Sequence, residues 1–199
     1  MRAARHAGLL GLLIFIAAAL GFGVALEGYS QIEHLLDVLG AKGMPRATAF
    51  NLIGLVLPGL LAVIAALQLR PRMPEGSRWP VRIGAQLLLL SALGLVAFGV
   101  FPVDPADLHN SASGWHAVAW MLWWVAFVPG GLLLGWGLRG APAWRTSGWL
   151  AALTAVALLA LVMVGVELLP AGFAQRLAFA IWWGWLVFAS YSGRATLSR

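Results

Sequence analysis

Five uncharged, predominantly apolar stretches of this sequence are each long enough to cross a lipid bilayer as an α-helix. A hydrocarbon core of about 30 Å requires about 20 such residues. A sixth stretch is shorter, but it reaches this length if the chain enters the membrane near Ala171 with Arg176 at the interface. The predicted helices cover residues 7–26, 47–69, 83–103, 117–138, 146–168 and 172–193. The sequence therefore predicts an all-α, polytopic membrane protein, in which residues 1–199 form a single six-transmembrane-helix domain.

Composition agrees with this class and excludes several kinds of chemistry. The chain is 61% hydrophobic and 10% charged, whereas soluble domains carry about 25% charged residues. It has no Cys, which excludes disulfide exchange, thiolate catalysis and iron–sulfur ligation. Its single Lys, Lys42, lies outside the predicted spans, so we expect no retinal Schiff base in the bundle. Only His116 comes close to a span, so we also expect no membrane haem.

The first apolar stretch has an alternative interpretation as a cleaved signal peptide. Arg2 and Arg5 precede it, and small residues follow its apolar centre. The apolar run is longer than the core of a typical signal peptide, which has 7–15 residues. We therefore expect the first stretch to be a transmembrane helix.

Charge placement predicts the orientation of the helices. With a cytoplasmic N-terminus, ten basic residues fall inside and three fall outside, as the positive-inside rule requires. The inside residues are Arg2, Arg5, Arg70, Arg72, Arg78, Arg82, Arg139, Arg145, Arg194 and Arg199, and those outside are Lys42, Arg46 and Arg176. We expect both termini to be cytoplasmic, in a plasma (inner) membrane. The net charge of +6 is then a topology signal that suits anionic membrane lipids, and we expect no nucleic-acid partner.

The first outer loop contains the pattern of a short amphipathic helix. Ser30 and Glu33 match an S-x-x-E capping box, apolar residues recur at helical spacing, and Gly40 can end the helix. The polar face would carry Glu33, His34 and Asp37. Such a face needs no function, because any helix lying on a membrane surface has one.

The second outer loop, "FPVDPADLHNSASGWH" at residues 101–116, concentrates polar residues between apolar helices. Asp104, Pro105 and Asp107 match a helix start, with an acceptor at the N-cap and Pro at the first helical position. Ser111 or Ser113 could cap the next helix in the same way. Capping alone would therefore explain much of this polarity.

His109 and Asn110 are not required by capping and indicate a site. On one helix His109 and His116 would be about 10 Å apart along the axis, too far to share a metal. A zinc ion held by His109, His116 and Asp104 would require the chain to bend near Gly114. The chain lacks an H-x-x-x-H or H-E-x-x-H helix, so no metal is predicted outright.

Two segments carry a resemblance to a known family. "DVLGAKGMPRATAFNLIGLVLPG" and "LGLVAFGVFPVDPADLHNSASGWH" resemble the bacterial and archaeal membrane proteins grouped as domain of unknown function 998, over about residues 30–190. The best-matched positions are Leu39, Gly40, Asn51, Gly54, Gly99, Phe101, Pro102, Asp104 and His109. Asp37-Val38 stands where the family usually has a Ser-type residue. The resemblance implies a membrane bundle of about six helices and implies no activity.

Two hypotheses of different classes follow. The chain binds or processes a lipid or other amphiphile in an outer polar pocket, or it is a non-catalytic scaffold or accessory subunit. The candidate pocket residues are Asp104, His109, Asn51, His116, Glu167 and His34. We expect Asp104, His109 and Asn51 to converge within hydrogen-bonding reach beneath the first-loop helix.

The scaffold hypothesis rests on tryptophan. A protein partner or second copy would bind through "WMLWW" and "WWGWL" in the fourth and sixth predicted helices. Tryptophan is also common at any membrane interface. A small transporter is disfavoured, because no acid or base lies in mid-membrane to couple an ion. No catalytic residue is predicted.

Overall fold

The computed structural model describes residues 3–74 and 79–193, and within them the regular structure is entirely helical. Arg2, Arg78, Arg194 and Arg199, which entered the charge count, lie outside the described residues. Six long helices are present in the described part of the chain. They are α1 (Ala7–Val24), α2 (Ala47–Arg72), α3 (Trp79–Val100), α4 (Ser111–Leu138), α5 (Arg145–Gly165) and α6 (Ala171–Tyr191).

Helices α1 to α5 are long and apolar enough to cross a bilayer. Helix α6 has 21 residues but falls outside this group, since the polar side chains of Gln175 and Arg176 occupy its first turns. The chain is therefore a multi-pass helical membrane protein, as its sequence predicts. Helix α3 begins at Trp79 instead of residue 83, because Arg82 extends the helix beyond its apolar run without ending it.

The loops sort onto two ends of the bundle. Residues 25–46, 101–110 and 166–170 lie together at what we call the acidic end, which carries Glu27, Glu33, Asp37, Asp104, Asp107 and Glu167. Backbone hydrogen bonds join these loops, including Lys42 N–H to Val103 O at 2.8 Å. At the opposite, basic end, His6 Nδ1 lies 2.8 Å from Tyr191 Oη. The N-terminus of α1 and the C-terminus of α6 therefore lie together at the basic end.

The core of the bundle is aromatic and is centred on α6. Trp182, Trp183 and Trp185 are buried, and the ring of Trp123 on α4 lies 4.4 Å from that of Phe179 on α6. Close van der Waals packing is what holds membrane helices together, because lipid tails are as apolar as the side chains. The tryptophans of "WWGWL" thus pack inside the chain itself, and a partner surface on α6 would have to use its other face.

Helices α3 and α4 approach each other closely at a glycine. A Cβ added at Gly94 would lie 2.7 Å from the backbone nitrogen of Trp123. Only a residue without a side chain permits this distance between backbones. The hydroxyl of Ser91 on the same face donates to Trp123 O at 2.6 Å and accepts from Trp182 Nε1 at 3.1 Å.

Two helices contain π-helical segments, Asn51–Val56 in α2 and Leu161–Gly165 in α5. The first precedes Pro58, whose ring would clash with the carbonyl of Gly54 in a regular α-helix. Widening the helix before the proline removes this clash. The second has no proline nearby in the helix, and it lies beside the cavity described below.

The first loop, residues 25–46, forms less helix than its sequence predicts. Only Asp37–Gly40 is α-helical, as a single turn. The Ser30 hydroxyl does accept hydrogen bonds from the N–H groups of Ile32 and Glu33, as in the predicted capping box. The turn after it does not continue, because the loop backbone bonds to α6 instead: Phe173 N–H donates to Ile32 O at 2.8 Å.

The prediction of a helix start at Asp104 is wrong. The Asp104 and Asp107 side chains accept from the N–H groups of Ala106 and His109, each two residues ahead, which produces turns and no helix. Helix α4 begins at Ser111, six residues before the predicted 117, with Asn110 as its N-cap. Asn110 Oδ1 accepts from Ser113 N–H at 2.9 Å, so capping does explain this asparagine.

Candidate functional site

Gln175 on α6 connects the first loop to the helix bundle. Its Oε1 accepts from the buried N–H of Leu36 at 2.7 Å, and its Nε2 donates to Asp37 Oδ1 at 2.8 Å. The amide oxygen of Gln175 therefore bonds to the backbone, and its amide nitrogen bonds to a carboxylate. This places the Asp37 carboxylate against α6, where it is 23% exposed, and not on a solvated helix face.

Arg176, the next residue, fixes the preceding part of the loop. Its guanidinium donates to the hydroxyl of Tyr29, to Gln31 Oε1 at 2.9 Å and to the carbonyl of His34 at 2.8 Å. Burial raises the pKa of the Tyr29 hydroxyl, and the charge of Arg176 offsets part of that rise. A Cβ on Gly172 would lie 2.3 Å from His34 O, so only glycine lets the loop pack this closely on α6.

His116 on α4 contacts Asp37 from the opposite side. Its Nε2 lies 3.4 Å from Asp37 Oδ2, and its Nδ1 lies 2.7 Å from the carbonyl oxygen of Phe101. The ring is nearly parallel to that of Phe98, with 4.3 Å between centroids. A carbonyl only accepts, so Nδ1 carries a proton, and Nε2 can bond to Asp37 only through a second proton shared by the two groups.

A cavity of about 170 Å³ opens beside Asp37 and Gln175. These two are its polar side chains, and its remaining lining is apolar. That lining consists of Leu35, Trp120, Leu161, Val162, Ala171, Ala174 and Ala178. The three alanines leave the space between α5 and α6 unfilled, and the π-helical segment of α5 supplies Leu161 and Val162. The cavity is thus polar at one end and apolar along its walls.

Asp104 belongs to a different cluster, which joins the first loop to the second, residues 101–110. Its Oδ2 accepts from Lys42 Nζ at 2.9 Å and from Asn110 Nδ2 at 3.1 Å, and its N–H donates to the Ser113 hydroxyl. The hydrogen bond from Lys42 lowers the pKa of the Asp104 carboxyl, and the same bond raises the pKa of the Lys42 ammonium. This cluster holds the loops together away from the cavity.

The structure separates the residues that the sequence groups into one pocket. Asn51 Nδ2 donates to Gly40 O at 2.9 Å, whereas Asp104 bonds to Lys42 and Asn110. His109 is exposed, and its ring makes no hydrogen bond to the described residues. Asp104, His109 and Asn51 therefore do not form the predicted hydrogen-bonded cluster, because Asp104 and Asn51 are each satisfied by other partners.

The other predicted site residues also divide. His34 and Glu167 are exposed at the acidic end. The ring of His34 accepts from Ser30 N–H at 3.0 Å, which is a bond within its own loop. Of the predicted set, only His116 has a side chain that hydrogen-bonds, within the described part of the chain, to a residue that lines the cavity. Among the described residues, no three His, Asp or Glu side chains lie close enough to hold a metal ion, so His109, His116 and Asp104 do not form the zinc site considered above.

Sequence reasoning missed Gln175 and assigned Asp37 to the wrong surface. Gln175 stands in "AGFAQRLAF", a polar residue among small and apolar ones at the start of a helix. An uncharged polar side chain on the small-residue face of a membrane helix is a signal for a hydrogen bond inside the bundle.

Fold and site together define a multi-pass helical membrane protein. At its acidic end it has a cavity with polar side chains at one end and apolar walls. The chain belongs to the family described as protein of unknown function (DUF998), whose family model matches residues 9–191. This confirms the resemblance seen in the two sequence segments. No curated protein and no solved structure matches the chain.

Proposed function

We propose that this protein binds an amphiphile, such as a membrane lipid, in the cavity between α5 and α6. The observation that carries the proposal is the arrangement of the lining: Asp37 and Gln175 at one end, and Trp120, Leu161 and Val162 along the walls. A ligand with a polar head and an apolar chain matches both parts. Binding sites of this kind are mostly apolar, with a few polar groups that fix orientation.

Binding is favoured over catalysis by the composition of the lining. Asp37 and Gln175 are the polar side chains of the cavity, and they hydrogen-bond to each other. Nucleophilic catalysis by a hydroxyl, thiol or amine needs such a group beside a general base. The cavity lining contains no Ser, Thr, Lys or His, and the chain has no Cys. The alternative, a non-catalytic scaffold or accessory subunit, would not need the cavity at all.

Filling the cavity tests the proposal. Val162→Phe adds a ring to the cavity wall, and Val164→Phe makes the same change on the exposed face of the same π-helical segment. We expect native mass spectrometry of the full chain, purified in mild detergent, to show a bound amphiphile in the wild type and in Val164→Phe. Val162→Phe should lose it. Equal occupancy in both variants, or no bound amphiphile with or without added lipid, would overturn the proposal in favour of the scaffold.

We further propose six membrane spans with both termini cytoplasmic, in a plasma (inner) membrane. Helix α6 has 21 residues, which gives about 31 Å at 1.5 Å per residue and matches the hydrocarbon core. The basic end carries Arg5, Arg70, Arg72, Arg82, Arg139 and Arg145 among the described residues. An excess of arginine in short loops favours the cytoplasmic side.

Single cysteines test this orientation, because the natural chain has none. Ser111→Cys is exposed at the acidic end, and Gly140→Cys is exposed at the basic end with no atom within 4 Å of the added Cβ. An impermeant thiol reagent applied to intact cells should label position 111 and leave position 140 unlabelled until the membrane is opened. The reverse pattern would refute the orientation, and equal labelling would refute the placement of the two loops on opposite sides.

A further inference from the structure

The polar end of the cavity is rich in hydrogen-bond acceptors. The Asp37 carboxylate has four lone-pair sites, of which Gln175 and His116 occupy two. Gln175 Oε1 accepts one hydrogen bond, from Leu36, and retains one lone pair. The lining side chains retain two donors, the second N–H of Gln175 and the indole N–H of Trp120, against three free acceptor sites. A ligand that supplies donors therefore finds more partners than one that supplies acceptors.

No cationic side chain lines the cavity among the described residues. Arg176 follows Gln175 in sequence, but its guanidinium is occupied by Tyr29, Gln31 and backbone carbonyls of the first loop. Lys42 bonds to Asp104 on the other side of the acidic end. The cavity thus lacks the positive charge that phosphate recognition needs.

The start of α6 offers few N–H groups to an anion. Free N–H groups at a helix N-terminus form an anion-binding site. Here Gly172 N–H donates to Glu33 O at 3.3 Å, and Phe173 N–H donates to Ile32 O at 2.8 Å. Two carbonyls of the first loop thus occupy positions that phosphate oxygens would take.

We propose that the cavity selects an amphiphile whose head group donates hydrogen bonds, a hydroxyl or a protonated amine, and discriminates against phosphate head groups. This inference rests on the proposed function and names the ligand class for the same site. The head group donates to Asp37 and Gln175, and the first carbons of the chain lie on Trp120, Leu161 and Val162. A phosphate group would lose its hydration and meet acceptors in return, which is the kind of mismatch by which sites reject a ligand.

The size of the cavity limits what it encloses. About 170 Å³ holds a small head group and a few carbons, so the rest of the chain lies outside, along α5 and α6. Of the five most apolar spans α5 is the least enclosed, with 28% of its residues buried against 39–50% in the others. A chain leaving the cavity therefore passes directly to the bilayer over exposed side chains such as Phe173.

A matched pair of probes tests the selectivity. 1-Oleoylglycerol and 1-oleoylglycerol 3-phosphate share one acyl chain and differ only by the phosphate, and oleylamine tests the protonated amine. We expect competition measured by native mass spectrometry on the full chain to favour 1-oleoylglycerol over its phosphate by about tenfold or more, because the phosphate leaves polar groups unpaired. Oleylamine tighter than 1-oleoylglycerol would identify an amine ligand, and the reverse a hydroxyl ligand.

Two variants with the same change of charge complete the test. Asp37→Asn removes the carboxylate and supplies a donor at the cavity, whereas Glu167→Gln removes an exposed carboxylate at the same end. We expect Asp37→Asn to reduce the preference for 1-oleoylglycerol over its phosphate at least threefold, by about the worth of one hydrogen bond, and Glu167→Gln to leave it unchanged. A wild-type preference for the phosphate, or an equal response of both variants, would overturn the inference. If Val162→Phe does not reduce binding of any probe, the proposed function itself fails, and the two failures are thereby distinguished.

Discussion

His116 Nε2 lies 3.4 Å from Asp37 Oδ2, although 79 positions separate the two residues in sequence. The contact connects the start of α4 to the single helical turn of the first loop. Because His116 Nδ1 is held by the carbonyl of Phe101, the imidazole cannot rotate away without losing both bonds. The pair therefore fixes the carboxylate that forms the polar end of the cavity.

Two histidines of the second loop region provide a matched comparison. His116→Leu removes both bonds and leaves the Phe101 carbonyl without this donor, so we expect the free energy of unfolding to fall by about 1–3 kcal/mol. His109→Leu changes an exposed ring without hydrogen bonds to the described residues, so we expect a change within about 0.5 kcal/mol. Thermal unfolding in detergent measures both. Similar shifts for the two variants would contradict the prediction, because they would show that the hydrogen bonds of His116 add no more stability than the exposed ring of His109.

Helices α1 to α5 could be predicted because the signal for a membrane helix is local. A run of apolar residues of sufficient length allows no alternative to a helix in a bilayer, since every backbone group must be bonded internally. The ends of the helices were less predictable. Asn110 begins α4 well before its apolar run, because a cap depends on which side chain the loop presents to Ser113 N–H. The conformation of the loop decides which side chain caps the helix, and the apolar run itself does not indicate that conformation.

The candidate site could be predicted only in part, since its contacts join distant segments. His116 was selected for its position at a membrane surface, and the structure does place it against the cavity's carboxylate. Asp37 follows a helical pattern that placed it on a solvated face, but the loop bonds to α6 and turns Asp37 inward. Gln175 is 138 positions from Asp37, and nothing in the local sequence of either residue indicates the other.

Gly40 provides a test of how tightly the first loop is built. A Cβ at this position would lie 2.0 Å from Asn51 Oδ1, so the asparagine must move and lose its 2.9 Å bond to Gly40 O. We expect Gly40→Ala to lower the free energy of unfolding by about 1–3 kcal/mol. Gly114→Ala is the control, since no atom lies within 4 Å of the added Cβ. That variant should stabilise α4 by about 0.5–1 kcal/mol, because alanine favours a helix. Thermal unfolding of the two variants in one detergent would contradict the prediction if Gly40→Ala were as stable as the wild type.

The ion pair between Lys42 and Asp104 should make the link between the first and second loops depend on pH. The hydrogen bond from Lys42 lowers the pKa of Asp104 from its usual 3.8, so the stabilisation is present above pH 3.8 and is lost as the pH falls through the lower folded value. The pKa of Lys42 is raised above 10.5 by the same bond, so that contribution is complete below pH 10.5 and is lost as the pH rises through the higher folded value.

A double-mutant cycle isolates this pair from other titrating groups. Lys42→Met, Asp104→Asn and the double variant give the coupling energy between the two side chains at each pH. We expect a favourable coupling that is constant between about pH 5 and pH 9 and disappears in acid below the folded pKa of Asp104. Thermal unfolding of the four proteins across this range supplies the measurement. Because Lys42 is largely exposed, added salt should weaken the coupling as well. A coupling that persists unchanged in acid would mean that the two side chains interact without their charges. A coupling of zero at every pH would mean that the Lys42 N–H to Val103 O bond and packing join the loops without this pair.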